Sequence, residues 1–228
     1  MQIVLDIAVV FLAYLLGAIP FGLLVVKLKT GQDIREIESG RTGSTNAMRA
    51  AGFWAGMTTV MLDIAKGAVS VWAASWLDPH NYWLHVAAPI VAIIGHNHSI
   101  FVPERDENGR IVGLRGGAGG VPAVGGAVGL WPASILILVP LGMLIFFSIG
   151  IASVATVTAA LLVIILFAIR AAQGHLPWIY VWYGVGAEIL LMWALRPNLK
   201  KLFAGEERVI KYSFYGWLLA RREGAKKL

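Results

Sequence analysis

Residues 133–170 read ASILILVPLGMLIFFSIGIASVATVTAALLVIILFAIR, and the only charge in the stretch is the final Arg170. A helix needs ~20 apolar residues to cross the ~30 Å hydrocarbon core of a bilayer, because each residue rises ~1.5 Å. The stretch is therefore read as two crossings, 133–149 and 152–170, with Pro132 and Pro140 marking helix starts or kinks. Working outward, apolar blocks at about 3–27, 53–77, 84–102 and 178–195 meet the same test. One further block, 116–130, gives only ~22 Å of helix and is expected to be a short, glycine-rich helix inside the bundle or a re-entrant segment. The expected fold is an all-α, polytopic integral membrane bundle of about seven transmembrane helices. It forms a single domain, 1–228, with a basic tail from about 196.

Composition agrees with a bilayer solvent. The chain is 58% hydrophobic and 14% charged, where a soluble domain carries about 45–50% and about 25%. Mean hydropathy is +0.73. With no cysteine, disulfides, thiolate metal sites and cysteine nucleophiles are excluded. The net charge of +6 suits anionic lipid or a phosphorylated substrate, and nucleic acid is a poor partner for so apolar a chain. The first apolar block lacks a basic leader and a cleavage pattern, so it reads as a retained span.

Lys and Arg placement sets the expected orientation. Lys27, Lys29, Arg35, Arg41 and Arg49 follow the first span, and Arg105, Arg110 and Arg115 follow the third. The tail carries Arg196, Lys200, Lys201, Arg208, Lys211, Arg221, Arg222, Lys226 and Lys227. The alternate loops, 78–83 and 171–177, have none. Seven spans put all the basic segments on one face, which the positive-inside rule makes cytoplasmic, with the N-terminus outside and the C-terminus inside.

Three polar clusters fall on that face. Ser39-Gly40-Arg41-Thr42-Gly43-Ser44-Thr45-Asn46-Ala47-Met48-Arg49 offers hydroxyls, an amide and two guanidinium groups, a phosphate-binding composition that also suits a helix-capping turn. Between 113 and 129 stand eight glycines, too many for a free-standing helix. They suit anion binding through backbone N–H groups, or close helix packing, or both. No Walker-type Gly-Lys-Ser/Thr follows. His96 and His98 precede this cluster without a carboxylate–histidine motif, so no metal is expected. The third cluster runs from Arg196 to Glu207 and includes Asn198. Within the spans, Asp63 and Lys66 share a helical face and are read as a structural pair.

Together these segments resemble the acyl-phosphate:glycerol-3-phosphate acyltransferase family (PlsY). The resemblance starts at Gly17-Ala18-Ile19-Pro20-Phe21-Gly22 and Asp33-Ile34-Arg35-Glu36. It continues through the Ser-Gly-x-x-Gly-x-Thr-Asn-x-x-Arg pattern at 39–49 and Leu62-Asp63-Ile64-Ala65-Lys66-Gly67. Gly95-His96, the glycine loop at 116–120 and Asn198 through Glu207 follow in order. Departures from the family pattern are Arg41 for Asn, Ser44 for Ala, Ala118 for the loop's second Lys and Leu195 for a His. A polar insertion, Glu104 to Val112, precedes the loop.

The resemblance implies transfer of a fatty acyl group from acyl phosphate to glycerol 3-phosphate, giving lysophosphatidic acid for phospholipid synthesis, without a cofactor. It implies a multi-pass protein of the bacterial inner membrane whose active site faces the cytoplasm. Gly116, Gly117 and Gly119 would hold the acyl-phosphate head, with Arg115, Arg41 and Thr45 adding phosphate contacts. Arg49, Ser39 and Asn198 would hold glycerol 3-phosphate, Asn46 would orient a substrate, and Glu207 would brace the tail. His96 is the expected side chain for proton transfer, with a substrate phosphate as the alternative base. Ala118 and Leu195 keep open a diverged member with another phosphorylated acceptor. A non-catalytic lipid- or anion-binding protein and a small transporter are the remaining readings, the last weakened by the lack of a repeated glycine segment. Acyl-chain preference and oligomeric state are not encoded legibly.

Overall fold

The first apolar run is broken where Pro20 lacks an N–H to continue the helical ladder. Gln2–Ala18 forms α1 and Phe21–Thr30 forms α2, so the expected single segment 3–27 is two stacked helices. Gly31 closes α2 in the left-handed conformation. The polar stretch that follows is partly helical, with Ser44–Ala51 forming α3. Gly52, at φ +85°, turns the chain into α4, Phe53–Leu77, the 53–77 block of the sequence. Asn81 caps α5, Tyr82–Asn97, by accepting from Leu84 N–H at 3.1 Å. This helix stops at Asn97, five residues before the expected end of its span.

The insertion 104–112 is a β-hairpin, which an all-α expectation did not include. Strand β1, Pro103–Arg105, pairs antiparallel with β2, Ile111–Leu114. The Asp106 carboxylate shapes its turn by accepting from Asn108 N–H and Arg110 N–H, both at 2.9 Å. The glycine-rich block then yields α6, Gly120–Leu130, only 11 residues long and buried over most of its length. At ~16 Å it falls short of the ~30 Å core. Of the two expected forms it is the short helix inside the bundle.

A 3-10 turn at Pro132–Ser134 leads into α7, Ile135–Ile149, which continues through Pro140. Then come α8, Ala152–Ala172, and α9, Ile179–Phe203. The last runs through Pro197, so Asn198 and Lys201 sit on a helix and not in a tail beginning near 196. The final helix is α10, Phe214–Ala225. The computed structural model describes residues 1–210 and 213–225; Lys211, Lys226 and Lys227 of the basic tail lie outside the described residues.

Among the described residues, four segments are long and apolar enough to cross a membrane: Gln2–Thr30, Phe53–Leu77, Pro132–Ile149 and Ala152–Ala172. Their outward faces suit lipid. Helix α7 buries only Leu138, and Leu136 beside it is 76% exposed. Such a continuous apolar surface is unfavourable in water and neutral in hydrocarbon.

Helix α6 forms the centre, packed on α4, α5, α8 and α9. Its contact with α4 is so close that a Cβ on Gly125 would lie 2.3 Å from the Ile64 carbonyl oxygen. Small residues allow this backbone approach, the usual basis of helix association in membranes. Around it Ile93, Val163, Phe167, Tyr183 and Leu191 complete the core, and Tyr183 donates its hydroxyl to the Ala123 carbonyl at 2.6 Å. The consequence is a fixed α6 whose N-terminus is held at one end of the bundle.

Candidate active site

The 31–43 loop is folded back on α3. Asp33 accepts from Arg35 N–H and pairs with the guanidinium at 2.5 Å, which holds the Asp33 carboxyl below its ordinary range. Ile34 buries its side chain with Val26 and Ala47. Asn46 staples the loop, since its Nδ2 donates to the carbonyls of Ile34, Ile37 and Arg41 at 3.2, 3.0 and 2.9 Å. The side chain expected to orient substrate therefore has a structural task, while its Oδ1 is buried without a partner among the described residues.

Thr42 N–H reaches across to the Gly116 carbonyl at 3.3 Å and so joins this loop to the glycine loop. The glycine loop differs from expectation in which groups it offers. Gly116 packs on the end of α5, where a Cβ would lie 2.1 Å from the His96 carbonyl oxygen. Gly117 uses its own N–H on that carbonyl, at 2.9 Å. What Gly117 supplies is the missing side chain: a Cβ there would lie 2.0 Å from His96 Nε2. The N–H groups of Ala118, Gly119, Gly120 and Val121 have no acceptor among the described residues. Of the expected glycines, Gly119 keeps a free N–H, in a run 118–121 that suits an anion, and its backbone is left-handed at φ +88°.

Residues 118–121 line a cavity of about 220 Å³. Two more helices begin on its wall: α3 with Ser44 and Thr45, and α8 with Ala152 and Ser153. Three helix starts thus point at one space, and none has an acidic residue in its first turn. Each brings unsatisfied N–H groups and the positive end of its dipole, so their shared focus favours an anion.

Side chains add charge to that focus. Arg49 and Lys201 line the cavity and make no ion pair or hydrogen bond with the described residues. Arg41 lines it too, donating to the Ala194 carbonyl at 2.8 Å. Burial draws the Arg41 guanidinium below its ordinary value, with Glu207 opposing, and it remains a cation at any physiological pH. Asn198 donates to Glu207 Oε1 at 3.0 Å, and Arg208 pairs with Glu38, so the segment after α9 closes one side. That segment is fixed by Ile210 N–H on the Gly150 carbonyl at 2.8 Å.

Ser39, Arg41, Thr45, Asn46, Arg49, His96, Gly117, Gly119, Asn198, Asp63 and Glu207 all reach this one cavity. Three of the residues singled out in the sequence do not. Gly116 faces α5, Lys66 lies behind Asp63, and Arg115 points outward to pair with Glu104 on the hairpin. Ser153, Thr156 and Lys201 were missed. Ser153 is 1% exposed with its hydroxyl unpartnered among the described residues. The sequence signal for it was a hydroxyl soon after Gly150, at a helix start inside an apolar run. No group of three His, Asp or Glu side chains gathers as metal ligands among the described residues.

Behind α3 and α6 the cavity adjoins an apolar groove of about 170 Å³, whose lining includes Val60, Val124, Leu138, Met143 and Phe146. Ser44, Thr45, Gly120, Val121, Ala152 and Thr156 belong to both walls. A polar, cation-lined chamber thus shares a wall with an apolar one.

A family model described as glycerol-3-phosphate acyltransferase matches residues 7–205. The glycerol-3-phosphate acyltransferase of Chlorobium phaeobacteroides strain DSM 266 is 30% identical, the alignment covering 90% of this chain and 97% of that one. Its counterpart from Thermus thermophilus is 32% identical over 86% of this chain and 91% of its own. Crystal structures of PlsY, an integral membrane glycerol 3-phosphate acyltransferase, superimpose in two forms. The glycerol 3-phosphate form gives a TM-score of 0.75 at 27% identity, covering 90% of this chain and 95% of that one. The lysophosphatidic acid form gives 0.73 at 26% identity, covering 91% and 96%.

Proposed function

The chain belongs to the glycerol-3-phosphate acyltransferase family, and from that premise we propose how its two-chambered site runs the reaction. The protein is a membrane acyltransferase that acylates glycerol 3-phosphate to lysophosphatidic acid, a step of phospholipid synthesis. The donor is an acyl phosphate. The observation that carries this reading is the convergence of three unsatisfied helix starts with Arg49 and Lys201 on one cavity joined to an apolar groove. That arrangement fits a donor with an anionic head and a hydrocarbon tail beside a second, phosphorylated substrate.

The donor phosphate sits on the N–H groups of 118–121 and at the start of α8, while its acyl chain lies in the groove lined by Val124, Met143 and Phe146. Arg49, with Ser39 and Asn198 and helped by Lys201, holds the phosphate of glycerol 3-phosphate. Asn46 Oδ1 and Glu207 Oε2, both buried on the cavity wall without partners among the described residues, are free to accept from the acceptor's hydroxyls. The 1-hydroxyl oxygen then bonds to the acyl carbon as the bond from that carbon to the phosphate oxygen breaks. The hydroxyl proton leaves on the departing phosphate, so the step balances without an outside reagent. Charge developing on the phosphate falls on preorganised N–H groups that need not reorient.

The chain crosses the bacterial inner membrane, its seven expected segments leaving the N-terminus outside and the C-terminus in the cytoplasm. The positive-inside distribution of Lys and Arg supports this orientation, with the cavity on the cytoplasmic side. The test is purified protein in detergent with glycerol 3-phosphate and labelled palmitoyl phosphate, palmitoyl-CoA or palmitoyl thioester of a carrier protein. Labelled lysophosphatidic acid from the acyl phosphate alone is expected. Product from a thioester but none from the phosphate would overturn the donor assignment.

A further inference from the structure

Behind the glycine loop lies a buried charge pair of which Asp63 borders the cavity and Lys66 does not. Asp63 and Lys66, one turn apart on α4, are 1% and 2% exposed, with Lys66 Nζ 2.9 Å from Asp63 Oδ1. Lys66 has two more polar neighbours. Its Nζ donates to the Ile19 carbonyl at 3.1 Å, at the break between α1 and α2, and lies 2.8 Å from His96 Nδ1. An ammonium group has three protons and no lone pair. Asp63 is its ion-pair partner, the Ile19 carbonyl takes one proton, and the proton facing His96 can only be received by a bare ring nitrogen.

That requirement fixes the imidazole. With Nδ1 accepting, the single ring proton resides on Nε2, and the ring is neutral. The charges facing His96 are Asp63 and Lys66 on α4 and Arg41 on the loop before α3. A proton added at Nδ1 would face the ammonium at hydrogen-bond distance in a site removed from water, where like charges repel strongly. On the opposite side of the ring, Nε2 faces the backbone of Gly117, and His96 lines the cavity.

We propose that the Asp63–Lys66 pair is a positioning device that holds His96 as a neutral hydrogen-bond donor, its Nε2–H directed into the cavity toward a bound phosphate. His96 is then not the base, because the nitrogen nearest the substrate already carries the proton. Asp63 keeps Lys66 charged and in place, and Lys66 selects the tautomer. The inference rests on reading the cavity as the phosphate seat, and it changes the role of His96 from accepting a proton to sharing one.

Two measurements test it. In full-length protein with ¹⁵N-labelled histidine, the His96 ring signals are assigned by difference from His96→Gln. The expected state is a bare Nδ1 with a protonated Nε2 whose signal moves when glycerol 3-phosphate is added. In Asp63→Asn/Lys66→Met, which removes both charges together so that neither is left buried alone, the ring is expected to populate both tautomers, with kcat falling more than KM. A wild-type ring protonated on Nδ1, or a double variant with unchanged tautomer and reduced kcat, would overturn the proposal.

The second measurement uses side-chain chemistry. His96→Ala should lose about 10²–10³ in kcat, the range for removing one donor from an anion-stabilising site. His96→Gln places an amide N–H near the Nε2 position and should recover most of that loss. Equal losses in the two variants would sink the donor role. Should the wild-type enzyme make no lysophosphatidic acid from palmitoyl phosphate, the proposed reaction fails while the tautomer measurement still reads the Lys66–His96 contact on its own.

Discussion

Helix α5 carries a buried histidine near each end, and the two are used in opposite ways. His85 is 3% exposed and spends both ring nitrogens, Nδ1 with the Tyr180 hydroxyl at 3.1 Å and Nε2 with the Asp78 carbonyl at 2.8 Å. The rings of Tyr82 and Tyr180 close around it, and that end of the molecule is satisfied. His96 is 5% exposed, has one nitrogen against an ammonium, and holds the other against Gly117 on the cavity wall. Around it Asn46 Oδ1, Ser153 Oγ and Glu207 Oε2 are also unpartnered among the described residues. Burial alone therefore does not distinguish a structural histidine from a functional one. What distinguishes them is whether hydrogen-bonding capacity is left over, and which way it points.

The contrast can be broken most sharply at the cavity. Arg49→Ala should lower kcat/KM for glycerol 3-phosphate by at least about 10²-fold, since a charge-assisted phosphate contact is lost where no other residue pairs with that cation. Thermal stability should be nearly unchanged, because Arg49 makes no hydrogen bond or ion pair with the described residues. Normal turnover at subsaturating acceptor would remove Arg49 from the substrate site.

At the satisfied end the effect should be smaller and of the other kind. His85→Phe strands the Tyr180 hydroxyl and the Asp78 carbonyl, a cost of about 1–3 kcal/mol in stability. Activity per folded molecule should stay at the wild-type level; a selective loss of kcat would erase the distinction between the two ends. The smallest effect belongs to the hairpin. Arg115 and Glu104 pair there with side chains 43% and 37% exposed. An exposed pair of this kind contributes little, so Glu104→Gln should change neither stability nor kcat/KM measurably. A large kinetic loss would return Arg115 to the phosphate site.

Much of the scaffold was legible in the sequence. The 53–77 and 152–170 blocks became Phe53–Leu77 and Ala152–Ala172, because an apolar window of bilayer length admits few other structures. Boundaries set by backbone detail were less legible. Pro20 divides the first run, Pro197 does not stop α9, and the 104–112 insertion folds on itself as a hairpin.

The cavity was half visible. Ser39, Arg49, Asn198 and the glycine loop stand out by composition, and they meet. Their division of labour does not follow from composition, because it depends on directions. Gly117 spends its N–H on α5, Arg115 turns away to the hairpin, and Ala118, which looks like a lost lysine, offers a backbone N–H. Ser153 was hidden because a lone hydroxyl in an apolar helix looks like filler until the helix start is seen to aim at the anion site.

The six residues common to both chambers have one more consequence, for traffic. In the proposed reaction the products differ in kind: inorganic phosphate belongs in water, and the new lipid belongs in the leaflet. In that reading the ion would leave on the side of Arg49 and Lys201 and the lipid on the side of Met143 and Phe146. The greasy tail would then not need to be lifted into solvent.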